Sequence, residues 1–274
     1  MTEIPSPAPI KEAPSVELSR KAAVKLAAQW IAEKSPGAMV RFGEGEGRLM
    51  VAQANDPESV GVARRKIKRQ TGQVLKDDAV LAIREDILEA LDEADVIGIH
   101  GDESFNDEHL GWVRAIEEFS ELRATKTGKG RITTHCLVNS NLSNELPSLL
   151  SNVTHVTVFS CRDVVEVVQN IAPRASIRVV QIPSQFVKRE IDDEYESRMH
   201  GIVMWPDFYS GLKGNLEVRE RGEVFLVGAG LFGKVICTRA KKLGGIALDI
   251  GSRLDFMAGK STRRGAPSRI APQS

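Results

Sequence analysis

A parallel α/β sheet with helices on both faces, Rossmann-like and contained in a single domain, is the fold class that this sequence predicts. Three observations predict it. Short apolar runs alternate along the chain with segments of helical periodicity. Most of those runs are apolar at successive positions rather than at every second one, as strands covered on both faces must be. The chain has 274 residues, 42% of them hydrophobic, which is enough for one sizeable core.

The elements follow in order. Residues 1–15 are proline-rich and bury too little apolar surface to offset the cost of ordering, so they are expected to be disordered. A helix over 16–34, capped by Ser15, carries Ala23, Leu26, Ala27, Trp30 and Ile31 on one face and stops at Ser35-Pro36-Gly37. A strand over 38–42 follows. A helix over 77–93, with Val80, Ile83, Ile87, Leu88 and Leu91 at helical spacing, leads to a strand over 95–99. Further helices are expected at 107–124, 144–150, 162–171 and 232–243, and further strands at 132–138, 155–159, 177–182, 224–227 and 246–249. There is no internal repeat. The basic stretch 260–274 reads as a flexible tail, leaving 16–259 as the folded domain.

Charge and cysteine usage narrow the function classes. Lys plus Arg and Asp plus Glu both number 37, so no global field draws the protein to nucleic acid. One dense basic run, Arg64, Arg65, Lys66, Lys68 and Arg69, lies in the helical segment 60–70. It reads as a solvated helix face, or as the place where a peripheral membrane contact or an anionic lipid-linked acceptor would be met. Cys136, Cys161 and Cys237 are far apart, lack CxxC spacing and sit in or beside apolar runs, so they read as structural thiols. With no secretory leader and no apolar stretch near the ~20 residues of a membrane span, the expectation is a soluble cytoplasmic protein.

Two motifs carry chemistry. In Arg41-Phe42-Gly43-Glu44-Gly45-Glu46-Gly47, two carboxylates stand one residue apart on a glycine-rich turn at the end of a strand. On an extended segment Glu44 and Glu46 project to the same side. Such a pair is either a wet acidic turn or an oxygen-rich site for magnesium or manganese. The second motif is Gly228-Ala229-Gly230-Leu231-Phe232-Gly233, a GxGxxG between the strand 224–227 and its helix, with Asp249 closing the next strand. Glycines there let backbone approach a phosphate at a helix N-terminus. They also permit tight strand-helix packing with no ligand at all. A nicotinamide-dependent oxidoreductase is the reading this fingerprint offers alone, but too little chain follows Asp249 to build the rest of a dinucleotide domain.

Three segments together, RFGEGEGRL at 41–49, VFLVGAGLFGKVIC at 224–237 and GGIALDIGSRLDFMAGKSTR at 244–263, resemble the GT-D-fold glycosyltransferases, in particular the branch of bacterial capsular and surface polysaccharide genes. Trp205-Pro206-Asp207-Phe208 is a weaker match. The resemblance implies a parallel α/β fold, a nucleotide-sugar donor, most simply a UDP-sugar, and a saccharide or lipid-linked glycan acceptor. It also implies a divalent metal, manganese or magnesium, on the family's Asp-x-Glu motif, which falls here on Glu44 and Glu46 with glutamate in place of aspartate. Arg41, Gly43, Gly228, Gly230, Lys234, Asp249, Gly251 and Ser252 would then line the nucleotide-sugar side. Asp102 or Glu103, after the strand 95–99, would serve as the base; His100 in the same loop reads as a structural or exposed histidine, and Asp207 and Asp255 are lesser candidates for binding acceptor or donor hydroxyls. A non-catalytic sugar-nucleotide-binding member of a polysaccharide assembly system is the third reading.

Overall fold

A computed structural model of the protein describes residues 16–99, 116–121, 131–134, 142–184, 195, 198–199 and 201–260. Eight parallel strands form one sheet: β1 (Val16–Glu17), β2 (Gly37–Arg41), β3 (Val96–Ile99), β4 (Arg131–Thr134), β5 (His155–Ser160), β6 (Ser176–Gln181), β7 (Val224–Val227) and β8 (Ile246–Asp249). Their order is β1-β4-β3-β2-β8-β7-β5-β6. The last of the described strands therefore lies in the middle of the sheet. It pairs with β2 through Ala38 opposite Ala247 and with β7 through Leu226 opposite Leu248.

The helices are α1 (Arg20–Glu33), α2 (Glu44–Met50), α3 (Pro57–Thr71), α4 (Asp77–Glu93), α5 (Leu142–Leu150), α6 (Val165–Ile171), α7 (Tyr209–Asn215), α8 (Gly233–Lys242) and α9 (Arg253–Met257), and residues 116–121 are helical. Two cores divide them. Alternate residues of a strand enter opposite layers: Phe225 and Val227 join a core with α3, α4 and α8, whereas Val224 and Leu226 join one with α1, α5 and α6. Burial on both faces is why β2, β3, β7 and β8 are apolar almost throughout.

The first helix starts later than its pattern suggested. Ser19, not Ser15, caps it, its hydroxyl accepting from the Ala22 N–H at 3.3 Å, and 16–17 pair with β4 instead. The segment 204–215 was not foreseen as helical. Gly211 and Gly214 weaken the local propensity there, but Tyr209 is buried against Phe232 with its hydroxyl donating to Asp86 at 2.8 Å, and Lys213 reaches the same carboxylate at 2.7 Å. Tertiary contacts outweigh propensity.

The expected tails at 1–15 and, beyond Lys260, at 261–274 lie outside the described residues, as do most of the expected helix 107–124 and the end of the expected strand 132–138. Within the described residues, no helix is long and apolar enough to cross a membrane. Three residues of the basic run on α3, Arg65, Lys68 and Arg69, are exposed, while Arg64 pairs with Asp77.

Candidate functional site

The strand ends of β2, β7 and β8 meet at the carboxyl edge of the sheet, where parallel α/β folds bind their ligands. Four charged side chains are buried there. Arg41 closes β2 and Asp249 closes β8; the Arg41 guanidinium donates to Asp249 Oδ1 through Nε and Nη2, each at 3.2 Å, and the Arg41 backbone N–H approaches Oδ2 at 3.3 Å. Lys234, one residue into α8, places its ammonium 2.6 Å from Glu46 Oε1, 3.4 Å from Asp249 Oδ2 and 2.8 Å from the Gly230 carbonyl. Exposure is 6% for Arg41, 5% for Glu46, 3% for Lys234 and 0% for Asp249, so solvent screens these contacts little.

Glu46 is the third residue of α2. Its Oε2 accepts from the Gly43 N–H at 3.1 Å, the half of a capping box that a glycine cap can make. Burial alone would raise this carboxyl. The Lys234 ammonium and the Gly43 N–H outweigh that and hold it below the ordinary carboxylate range. Burial likewise works to lower the Lys234 ammonium, but Asp249 and Glu46 outweigh it and raise it.

The expected turn is therefore a helix, and this changes what the two glutamates can do. Positions i and i+2 of a helix do not share a face, so the extended backbone on which the expected pairing of two carboxylates rested is absent from this segment. Glu44 is the first residue of α2, and its side chain lies outside the described residues. A divalent ion does not fit the side chains that are described. Both oxygens of Glu46 and both of Asp249 already accept from N–H donors, and the ammonium occupies the space between the two carboxylates. Among the described residues, no three His, Cys, Asp or Glu side chains converge on a point that could hold a metal.

The glycine loop is tightly packed. A Cβ on Gly228 would lie 2.7 Å from Leu254 Cδ1 and 3.1 Å from the Gly251 carbonyl. Gly230, in the left-handed region at φ 52°, opens a 3-10 turn over Gly230–Phe232 before α8. Gly251 is also left-handed, at φ 48°, and a Cβ there would overlap the Arg41 guanidinium. Ser252 is half-buried at the N-cap of α9 and makes no side-chain capping bond. Asp249, the acid a dinucleotide ribose would need, has both oxygens engaged inside the cluster. No strand follows β8 among the described residues.

Arg162 and Arg253 were missed by sequence reasoning. Arg162 follows β5 and is 5% exposed, with Nε donating to Asp255 of α9 at 3.0 Å. Arg253 follows β8, stands 4.4 Å over the Phe256 ring and is 3.4 Å from Asn144; among the described residues it has no carboxylate partner, and its buried Nε has no hydrogen-bond acceptor. Its place three residues beyond the apolar run IALDI was the available signal. Asp102, Glu103 and His100 lie outside the described residues. Asp207 is exposed in the turn Met204–Phe208. That turn and α7 border two cavities on the α4 and α8 side. One, of about 300 Å³, has the apolar wall Phe159, Val180, Phe208, Leu212 and Leu216. The other, of about 460 Å³, lies among Asp86, Glu89, Trp205, Tyr209, Lys213 and Arg239.

The cluster also explains one cysteine. Cys237 is fully buried one turn along α8 from Lys234, and burial, then the Asp249 carboxylate, push its thiol well up despite Lys234 and Arg41. In the native protein, alkylation followed by peptide mass spectrometry should label the partly exposed Cys161 and spare Cys237. Labelling of Cys237 at the rate of Cys161 would contradict this packing. Cys136 lies outside the described residues.

No family model matches the chain, and no curated protein matches it. Among solved structures, the chain is similar to a domain of unknown function 1792 described as having a distinct glycosyltransferase fold. The identity is 14% and the TM-score 0.53, over 93% of this chain and 87% of that one. A selenomethionine-substituted structure of the same domain gives the same values, 14% identity, TM-score 0.53, and 93% and 87% coverage. A third structure, described as a new glycosyltransferase of this domain from Streptococcus sanguinis, is 18% identical with a TM-score of 0.44 over 89% and 85% of the two chains. At 14% identity the likeness shows the fold: an α/β glycosyltransferase fold built on one parallel sheet.

Proposed function

We propose that the protein is a glycosyltransferase that moves a sugar from a nucleotide-sugar donor, a UDP-sugar in the first instance, to a hydroxyl of a saccharide or lipid-linked glycan during surface polysaccharide assembly. One observation carries this reading. Glu46 of RFGEGEG, Lys234 behind GAGLFG and Asp249 of LDIG come from distant parts of the chain, yet they form one buried cluster at the ligand-binding edge of a glycosyltransferase-type sheet.

In the reaction, the bond between the anomeric carbon and the diphosphate oxygen breaks, and the acceptor oxygen bonds to that carbon. The acceptor proton passes to a base, for which Asp102 and Glu103, directly after β3, are the candidates. Negative charge gathers on the departing nucleoside diphosphate. The backbone N–H groups of Ala229, Gly230 and Leu231 and the Arg253 guanidinium are the groups assigned to meet it, with Gly43, Gly251 and Ser252 shaping the adjacent wall; the Gly228 and Gly233 N–H groups are already bonded to the Phe159 and Gly230 carbonyls. Arg41, Lys234 and Asp249 act beneath this surface by fixing the ends of β2 and β8 and the start of α8 relative to one another.

Two other readings are weaker. A nicotinamide oxidoreductase would need Asp249 for the ribose, and that carboxylate is fully buried and engaged. A non-catalytic sugar-nucleotide binder is separated from the enzyme by a nucleotide-release assay. UDP, GDP and CMP, each with manganese and each with chelator, should be tested by thermal shift. At least one should raise the melting temperature by several degrees, by mass action on the folded state, and the matching sugar nucleotide should release free nucleotide. An unchanged melting temperature with all three, in both conditions, would overturn the proposal.

A further inference from the structure

We propose that Lys234 is the built-in cation of this site, its ammonium holding the position between Glu46 and Asp249 that a divalent ion would need, so that nucleotide donors bind without a metal. This rests on the nucleotide-sugar reading above. An ammonium has three donors and no acceptor. Those of Lys234 are matched by the Gly230 carbonyl at 2.8 Å, Glu46 Oε1 at 2.6 Å and Asp249 Oδ2 at 3.4 Å.

Three further points favour the ammonium over a metal. Magnesium and manganese need several oxygen ligands in close to octahedral array. Here the remaining carboxylate oxygens accept from Gly43 and from Arg41. Among the described side chains the charges are balanced, Arg41 and Lys234 against Glu46 and Asp249, so a dication placed between the two carboxylates would have to expel the ammonium. Lys234 is 3% exposed, so expelling it means opening the packing around α8, not swinging a flexible side chain through solvent.

The replacement has a chemical consequence. A covalently tethered cation cannot depart with the nucleotide product, and its charge is already committed to two carboxylates. Stabilisation of the leaving diphosphate therefore falls to groups outside the cluster, the 229–231 backbone and Arg253.

The test is manganese titration by calorimetry on the full chain, paired with nucleotide thermal shift in chelator and in manganese. The native protein should show no saturable manganese binding, and the nucleotide shift should be the same in both conditions. Lys234→Met, which leaves two carboxylates facing one arginine, should gain manganese affinity by roughly tenfold or more. Stoichiometric manganese binding by the native protein that Glu46→Gln abolishes would overturn the proposal, as would a nucleotide shift that disappears in chelator. Both decisive measurements use the native chain and do not depend on how well Lys234→Met folds. If no nucleotide shifts the protein in either condition, the transferase reading fails, and the manganese titration still decides the question of the cation in the same two directions.

Discussion

Lys234→Met should lower the stability at pH 7 by about 3–5 kcal/mol, because removing one partner of a buried ion pair leaves a desolvated charge without compensation. In a chain of this size that corresponds to a melting temperature lower by roughly 10 °C. Glu46 loses the contact at 2.6 Å, while Asp249 keeps Arg41, so the penalty is concentrated on Glu46. The double variant Lys234→Met/Glu46→Gln should recover a substantial part of the loss, since no charge is then stranded. Full additivity of the two single effects would show that the pair is not coupled.

The pH dependence follows from the direction of each shift. Glu46 is held below its ordinary 4.5, so its contribution is present above 4.5 and is lost as the pH falls through the lowered value. Lys234 is raised above its ordinary 10.5, so its contribution is complete below 10.5 and is lost as the pH rises through the raised value. In Lys234→Met the largest remaining influence on Glu46 is burial, which pushes its carboxyl up against the Gly43 N–H that still holds it down, so protonation relieves the variant. Denaturation at neutral and at acid pH should show the deficit shrinking as the pH falls towards 4.5 and on below it. A deficit that widens on acidification would contradict the pairing.

Gly251→Ala is the second large effect. At φ 48° an alanine is strained by about 1–2 kcal/mol. Its methyl group would also displace the Arg41 guanidinium from Asp249, so the total loss should reach about 3–5 kcal/mol. Gly259→Ala is the control, with φ 73° and nothing within 4 Å of the added carbon, and it should show the backbone strain alone. Equal losses in the two variants, measured by chemical denaturation, would mean that Arg41 is not held against Gly251.

Most of the fold was legible because burial on both faces leaves unbroken apolar runs. The strands 224–227 and 246–249 and the helix 77–93 have the boundaries their residues suggested. What local pattern could not show is which strands become neighbours. Nothing in 37–41 names 246–249 as its partner, and pairing at that separation is set by packing of the whole sheet. The same gap explains the site. RFGEGEG read alone implies a turn with two parallel carboxylates. The capping of α2 by Glu46 and the long-range ammonium of Lys234 turn it into a helix start with one carboxylate locked inward. Arg162 and Arg253 escaped notice because a single arginine after a strand has no spacing rule to mark it.

The central place of β8 has a bearing on how the chain is made. β1 to β4 form one half-sheet and β5 to β7 another, and β8 alone bridges them. Both halves leave the ribosome before the residues that join them. Until 246–249 arrive, β2 and β7 each present an unpaired edge, a template for misplaced strands or for another chain. The same strand delivers Asp249 to Arg41 and Lys234. Completion of the sheet and neutralisation of its buried charges are thus one event, which must wait until both half-sheets have been made.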